Sequence, residues 1–250
     1  MSKLNLKFTF ILGTPLSLSL ALLPYSAQAE VVAEKDKLPE DPTKIVTQAG
    51  INYSGTVHLM GSVSLGKSNK LNAGINKDGS EWRLGGSWLF DIGIVNFKFG
   101  KHQLDHDAEQ TNYSVGSFIP LSYFDIEPFG WQMFVMGGVS YNDGDAACEV
   151  NKDDCAEVGS DFDDEYALIP TTSFGGYVGV KAMKPLNKDW TLIAATAYSR
   201  GSDDYSGYVY GGGAGYHITK NQSLGIHAKI QHNSYGDDQK IGIGYKYQFN

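Results

Sequence analysis

The chain has 250 residues, with 20 basic and 28 acidic side chains for a formal charge of -8, and it is rich in Gly (30), Tyr (15) and Phe (12). The acidic balance argues against a nucleic-acid partner, which calls for a basic surface. Abundant glycine and aromatics at modest overall hydrophobicity favour many short strands over long helices. The first 29 residues place Lys3 and Lys7 before an apolar run and end in Ala27-Gln28-Ala29. That layout predicts a secretory signal peptide over 1–29, cleaved after Ala29. Cleavage removes two lysines and no acid, so the mature charge becomes -10. No later stretch reaches 18 consecutive apolar residues, so no transmembrane helix is expected. Residues 30–50 are charged, carry Pro39 and Pro42, and read as a flexible lead-in.

From about residue 51 the chain adopts a period of two. Ten segments carry it: 51–66, 81–90, 92–102, 112–123, 130–141, 172–183, 190–199, 207–217, 223–232 and 240–249. Most are near the ten residues that a tilted strand needs to cross hydrocarbon. Trp82, Leu84, Trp88 and Phe90 share one face of the second segment, opposite Arg83, Gly85 and Ser87. At the end of the chain Ile241, Ile243, Tyr245, Tyr247 and Phe249 alternate with Lys240, Gly242, Gly244, Lys246 and Gln248. In a soluble sandwich or lipocalin-like barrel the face opposite the apolar one, taken over all the segments, would be the water-facing surface. It holds mostly Gly, Ser and Ala, whereas soluble surfaces are rich in charge. A narrow barrel interior accommodates such residues, which places the apolar set against lipid. The expected fold is therefore an all-β, antiparallel transmembrane β-barrel over 51–250, with ten strands. Eight or twelve remain open, because the first segment is long and broken by glycine. The odd-numbered connectors are longer than their even-numbered neighbours, the pattern of long extracellular loops and short periplasmic turns. An even count leaves the lead-in and the C-terminus together in the periplasm.

These residues resemble the small outer-membrane β-barrels of Gram-negative bacteria, the OmpA/OmpX-type and opacity-type group. The resemblance rests on the signal peptide with Ala27-Gln28-Ala29, the alternating strands, and the ending GIGYKYQF. In that ending Gly244, Tyr247 and Phe249 match the glycine and aromatic positions of the signal read by the barrel assembly machinery. Gly242 and the trailing Asn250 depart from it. The resemblance implies the outer membrane as location, with lipid, lipopolysaccharide and the assembly machinery as partners. It names no function by itself.

Three constellations bear on function. The connector 142–171 is acidic and holds the only two cysteines, Cys148 and Cys155, an even count that suits a disulfide in an exported protein. Such a bridge would stabilise the loop by about 2–3 kcal/mol. Its acids Asp143, Asp145, Asp161, Asp163 and Asp164 are candidates for a divalent cation, although their spacing matches no EF-hand. The predicted inner face carries His58, Arg83, Lys98, Lys181, His217, His227, Lys229, Lys240 and Lys246, with Glu81 as its one clear acid. A water-filled lumen of that charge would favour a small anionic solute. His232 and Ser234 resemble the H-x-S motif of outer-membrane lipid A deacylases, with His as base and Ser as nucleophile. The Asn that follows in that family is Tyr235 here, and the last strand has no orienting acid. No cofactor motif is present. A structural or surface-contact role is expected first, a narrow anion-biased channel second and hydrolysis of lipid A or peptide third.

Overall fold

A computed structural model describes residues 37–149 and 166–249. The signal peptide, Cys155 and Asp161, Asp163 and Asp164 lie outside the described residues. Twelve strands follow one another: β1 (Gln48–Tyr53), β2 (Val57–Ser64), β3 (Asn69–Asn76), β4 (Trp82–Phe90), β5 (Gly93–Gln103), β6 (Glu109–Pro120), β7 (Gln132–Glu149), β8 (Tyr166–Pro185), β9 (Trp190–Gly201), β10 (Ser206–His217), β11 (Gln222–Asn233) and β12 (Gly236–Gln248). Each pairs antiparallel with its chain neighbours, and β12 returns to β1, so the sheet closes into a barrel. Closure satisfies the backbone without leaving a free edge. The register at the seam runs from Gln48 opposite Gln248 to Tyr53 opposite Ile243.

The count corrects the expected ten strands to twelve. Both extra strands lie near the start. The segment 51–66 is two strands, divided at Ser54–Thr56, where Gly55 takes φ +86°, a left-handed conformation that favours glycine. The stretch 67–80, expected to be a loop, contains β3, whose outward apolar side chains are only Leu71, Ala73 and Ile75. The lead-in is not a free tail either. Residues 37–47 are ordered against the barrel, with Thr43 and Ile45 buried, and β1 begins at Gln48.

The expected loop asymmetry is not seen among the described connectors. At the end away from the chain termini they are short (54–56, 77–81, 104–108, 202–205 and 234–235). The longest described one, 121–131, lies at the terminal end and contains two short 3-10 turns. The physical reason is that β7 and β8 continue well into the stretch expected to be a loop. Above a membrane a strand has no need of an apolar face, so its sequence looks like loop.

The two faces separate cleanly. Ile241, Ile243, Tyr247 and Phe249 are exposed on the outside, Ile241 at 83%, and Leu59, Leu71, Leu84, Val115, Val139, Val178 and Ile226 join them. Exposed apolar surface of this extent is foreign to a soluble monomer. Aromatics concentrate in two bands. Trp82, Phe99, Tyr113 and Tyr141 form a chain of ring contacts 4.4 to 6.1 Å apart across β4–β7. Nearer the termini, Trp190 and Tyr216 pack 5.0 Å apart and Tyr247 meets Phe249 at the same distance. On β9, Trp190 and Tyr198 are both exposed on the outer face. Their spacing corresponds to about 26 Å of strand, or near 20 Å of height at a tilt of about 40°.

Inside, Tyr177 of β8 lies across Gly116 of β6 and Gly138 of β7. A Cβ at Gly116 would collide with the Tyr177 hydroxyl, and one at Gly138 would sit 2.9 Å from it. These glycines make the trough in which the tyrosine packs. Gly116→Val is expected to destabilise the barrel by about 1–3 kcal/mol through overpacking. A lowered midpoint for the loss of the compact band in heat-modifiability gels would show it, and an unchanged midpoint would disprove it.

Candidate functional site

The lumen holds the polar chemistry, and it is organised in three levels. The level farthest from the termini is a roof. Tyr235 is fully buried there, with Leu104, Ala108 and Tyr205 around it and Ala146 and Ala147 packed alongside. The Tyr235 hydroxyl donates to the Thr171 carbonyl at 3.1 Å, and the Ala147 amide donates to the Tyr235 carbonyl at 3.1 Å. Burial pushes the pKa of the Tyr235 hydroxyl above its ordinary value. Below the ring runs an amide network. Gln110 and Asn112 of β6 donate to Asn142 Oδ1 at 2.9 and 2.7 Å, and Asn142 donates to Ser173 at 3.1 Å. Asn233 of β11 reaches Gln110 at 3.3 Å. β6 and β11 stand five strands apart in the twelve-strand ring, so this bond bridges the lumen. The side chains are inward-facing amides, which satisfy one another's donors and acceptors where water is excluded.

The roof does not extend over the whole mouth. β1 to β4 are only six to nine residues long, against eleven to twenty for the others. Beside these short strands lies the second level, a cavity of about 200 Å³ lined by His58, Glu81, Arg83, His102, His227, Lys229 and Lys240, among others. Lys240 pairs with Glu81 at 2.6 Å and with Asp238 at 3.5 Å, and Lys229 pairs with Asp238 at 2.7 Å. Arg83 meets only the Met60 sulfur, at 3.9 Å, and no ion pair is formed by Lys98 among the described residues. Four cations, Arg83, Lys98, Lys229 and Lys240, therefore share two carboxylates, Glu81 and Asp238, and leave an excess of positive charge.

The third level, at the terminal end, is a plug made by residues 37–47. Its turn is organised by Asp41, whose Oδ1 accepts from the Thr43 amide and hydroxyl, each at 2.7 Å. Three lysines of the wall donate to its backbone carbonyls. Lys246 of β12 reaches Pro39 at 3.1 Å, Lys181 of β8 reaches Glu40, and Lys70 of β3 reaches Pro42 at 3.4 Å and also Lys44. Lys44 in turn donates to Gln248 at 3.1 Å, and the Glu40 carboxylate lies 3.8 Å from His217 Nε2. β3 and β8 are five strands apart, so the segment crosses the lumen.

Among solved structures the chain is similar to the translocator domain of the autotransporter NalP from Neisseria meningitidis, at 15% identity and TM-score 0.48 over 82% of this chain and 87% of that one. It is also similar to the COG4313 outer membrane channel from Pseudomonas putida F1 (9% identity, TM-score 0.47, 87% and 98% covered) and to the KdgM porin (11%, 0.42, 82% and 100%). No family model and no curated protein matches the chain. The likeness concerns barrel architecture alone.

The structure distributes the sequence candidates unevenly. Arg83, His227 and Lys229 line the cavity, and Lys98 lies on the same inward register of β5. Lys181, His217 and Lys246 form the collar around the plug. Besides His102 of the cavity wall, three participants escaped the sequence reading. Lys70 lies in the strand read as a loop, Glu40 in the lead-in, and Asp238 in the supposed connector 233–239. The alternation of Lys70, Asn72, Gly74 and Asn76 with Leu71, Ala73 and Ile75 could have revealed the first.

No hydrogen bond joins His232 to Ser234 among the described residues. The acid missing from the sequence reading is present, since Asp237 lies 2.8 Å from His232 Nδ1 across the β11–β12 hairpin. But the Ser234 hydroxyl accepts from the Ser206 amide at 3.0 Å and donates to the Ser206 carbonyl at 3.2 Å. His232 stacks on Tyr208 at 4.9 Å instead, as an outward rim residue. Of the cation candidates, Asp143 and Asp145 sit on β7 opposite Thr172 and Pro170 rather than in a loop. No group of three potential metal ligands occurs among the described residues. Cys148 is near the end of β7, and its bridge to Cys155 remains an expectation.

Proposed function

We propose that the protein resides in the bacterial outer membrane, termini in the periplasm, and acts as a narrow channel that admits small anionic solutes. The exposed apolar belt between two aromatic bands supports the membrane placement. The unneutralised charge of Arg83 and Lys98 in the lumen carries the functional reading. Fixed cations in a confined lumen raise the local concentration of anions and repel cations. The short β1–β4 wall makes the cavity accessible from outside. The surface-contact role rests on the acidic stretch 142–171, of which 150–165 lie outside the described residues, so the lumen takes precedence.

Planar bilayers with the purified protein test this. Discrete conductance steps with a reversal potential on the anion side of a salt gradient are expected. No steps, either with the full chain or with residues 30–46 removed, would exclude the channel.

A further inference from the structure

The lumen collar at the terminal end is built like a binding site and is filled by the chain itself. Lys70, Lys181, Lys246 and His217 converge from four strands on one acidic turn. Gly215 completes the cradle. A Cβ there would stand 2.9 Å from Glu40 Oε1, so the glycine leaves the space that the Glu40 side chain occupies. The match is nevertheless incomplete. Lys181 and Lys246 spend their hydrogen bonds on the neutral carbonyls of Glu40 and Pro39. The buried Glu40 Oε2 has no hydrogen-bond partner, and neither does His217 Nδ1. A lysine bonds a carboxylate or phosphate oxygen about twice as strongly as a neutral acceptor. The occupant is thus a weak version of what the collar could hold.

We infer that Lys70, Lys181, His217 and Lys246 form a second oxyanion station in the lumen, that residues 37–47 close it as an autoinhibitory plug, and that a small carboxylate or phosphate solute opens the pathway by replacing the plug. This rests on the channel reading above. The solute first meets Arg83 and Lys98, then competes for the collar lysines. The backbone of the plug loses four charge-assisted bonds from three lysines and leaves towards the periplasm, where it is tethered through β1.

The test bridges the plug to the wall. In a C148S/C155S background, Glu40→Cys and Gly215→Cys are joined with dibromobimane, whose fluorescence reports the bridge. Bridged and unbridged protein are compared in bilayers, with and without succinate. The expected result is at least a tenfold higher open probability for the unbridged protein in succinate than in chloride alone, with the bridged protein silent in both. A bridged protein that conducts like the unbridged one overturns the plug while leaving the channel standing. Openings that ignore succinate overturn the displacement. If neither the unbridged protein nor a 30–46 deletion conducts, the channel reading falls and this inference with it.

Discussion

Exchanging both Arg83 and Lys98 for glutamate is expected to convert the lumen from anion-preferring to cation-preferring. The double exchange changes the formal charge by -4 in a passage that carries four cations and two carboxylates at the cavity level. A permeating ion about 8 Å from a single fixed charge gains or loses roughly 0.5 kcal/mol in water-like surroundings, and roughly 2 kcal/mol at an effective dielectric of about 20. That is about a twofold to thirtyfold effect per charge, and here each site swings by two. The reversal potential in a tenfold salt gradient should therefore cross zero. Neutral replacements, Arg83→Gln with Lys98→Gln, should move it only part of the way. Reversal at lysines on the outside of the barrel, such as Lys184 over the Trp131 ring, should move it little, because lipid and headgroups lie between them and the ion. If the lumen variants leave the reversal potential where it was, ions do not pass Arg83 and Lys98.

What the sequence made legible follows from where side-chain chemistry is forced by lipid. Along β4, β7, β11 and β12 every second residue must be apolar on the outside, and that alternation is readable directly from Trp82 to Phe90 and from Lys240 to Phe249. The same reading placed Arg83, Lys98, His227 and Lys229 on the inside. It faltered where the constraint relaxes. β3 spends only three apolar residues, Leu71, Ala73 and Ile75, on the outside, too few to stand out from a polar loop. The upper parts of β7 and β8 rise beyond the apolar belt and carry Asp143 and Asp145 outward, so they read as loop. The plug was illegible for a different reason. Lead-in residues with two prolines and alternating charge look disordered when alone, since they cannot bury enough apolar surface to offset their own ordering. Their order comes from Lys70, Lys181 and Lys246, which lie at distant places in the chain and meet only once the barrel has closed. The Asp237 partner of His232 was hidden because the last strand was read as starting at residue 240, whereas β12 starts at Gly236. Across a two-residue hairpin the pair are direct neighbours.

Tyr235→Ala should be the most damaging single change to the roof. The ring is completely buried among Leu104, Ala108 and Tyr205, and it lies 5.9 Å from the Tyr205 ring in an edge-on arrangement. Truncating a buried aromatic to alanine costs about 3–5 kcal/mol, and the roof has few other buried apolar groups to absorb the loss. The 104–108 and 202–205 turns, whose Leu104, Ala108 and Tyr205 pack on this ring, should become sensitive to protease while the barrel below stays folded. Tyr235→Phe separates packing from hydrogen bonding. It retains the ring, loses only the bond to the Thr171 carbonyl, and should cost about 1 kcal/mol. The hydroxyl also gives the roof a pH limit. Its pKa in the fold is raised, because burial disfavours the phenolate. The unfolded tyrosine titrates near pH 10. The contribution of the neutral ring is therefore fully present below about pH 10 and is lost as the pH climbs through the raised value, since the unfolded chain releases its proton first. Protease sensitivity of the two turns should rise in wild type above that pH and stay flat in Tyr235→Phe. If Tyr235→Ala leaves both turns as resistant as in wild type, the cluster does not hold the roof, and the bridge from Asn233 to Gln110 must hold the mouth unaided.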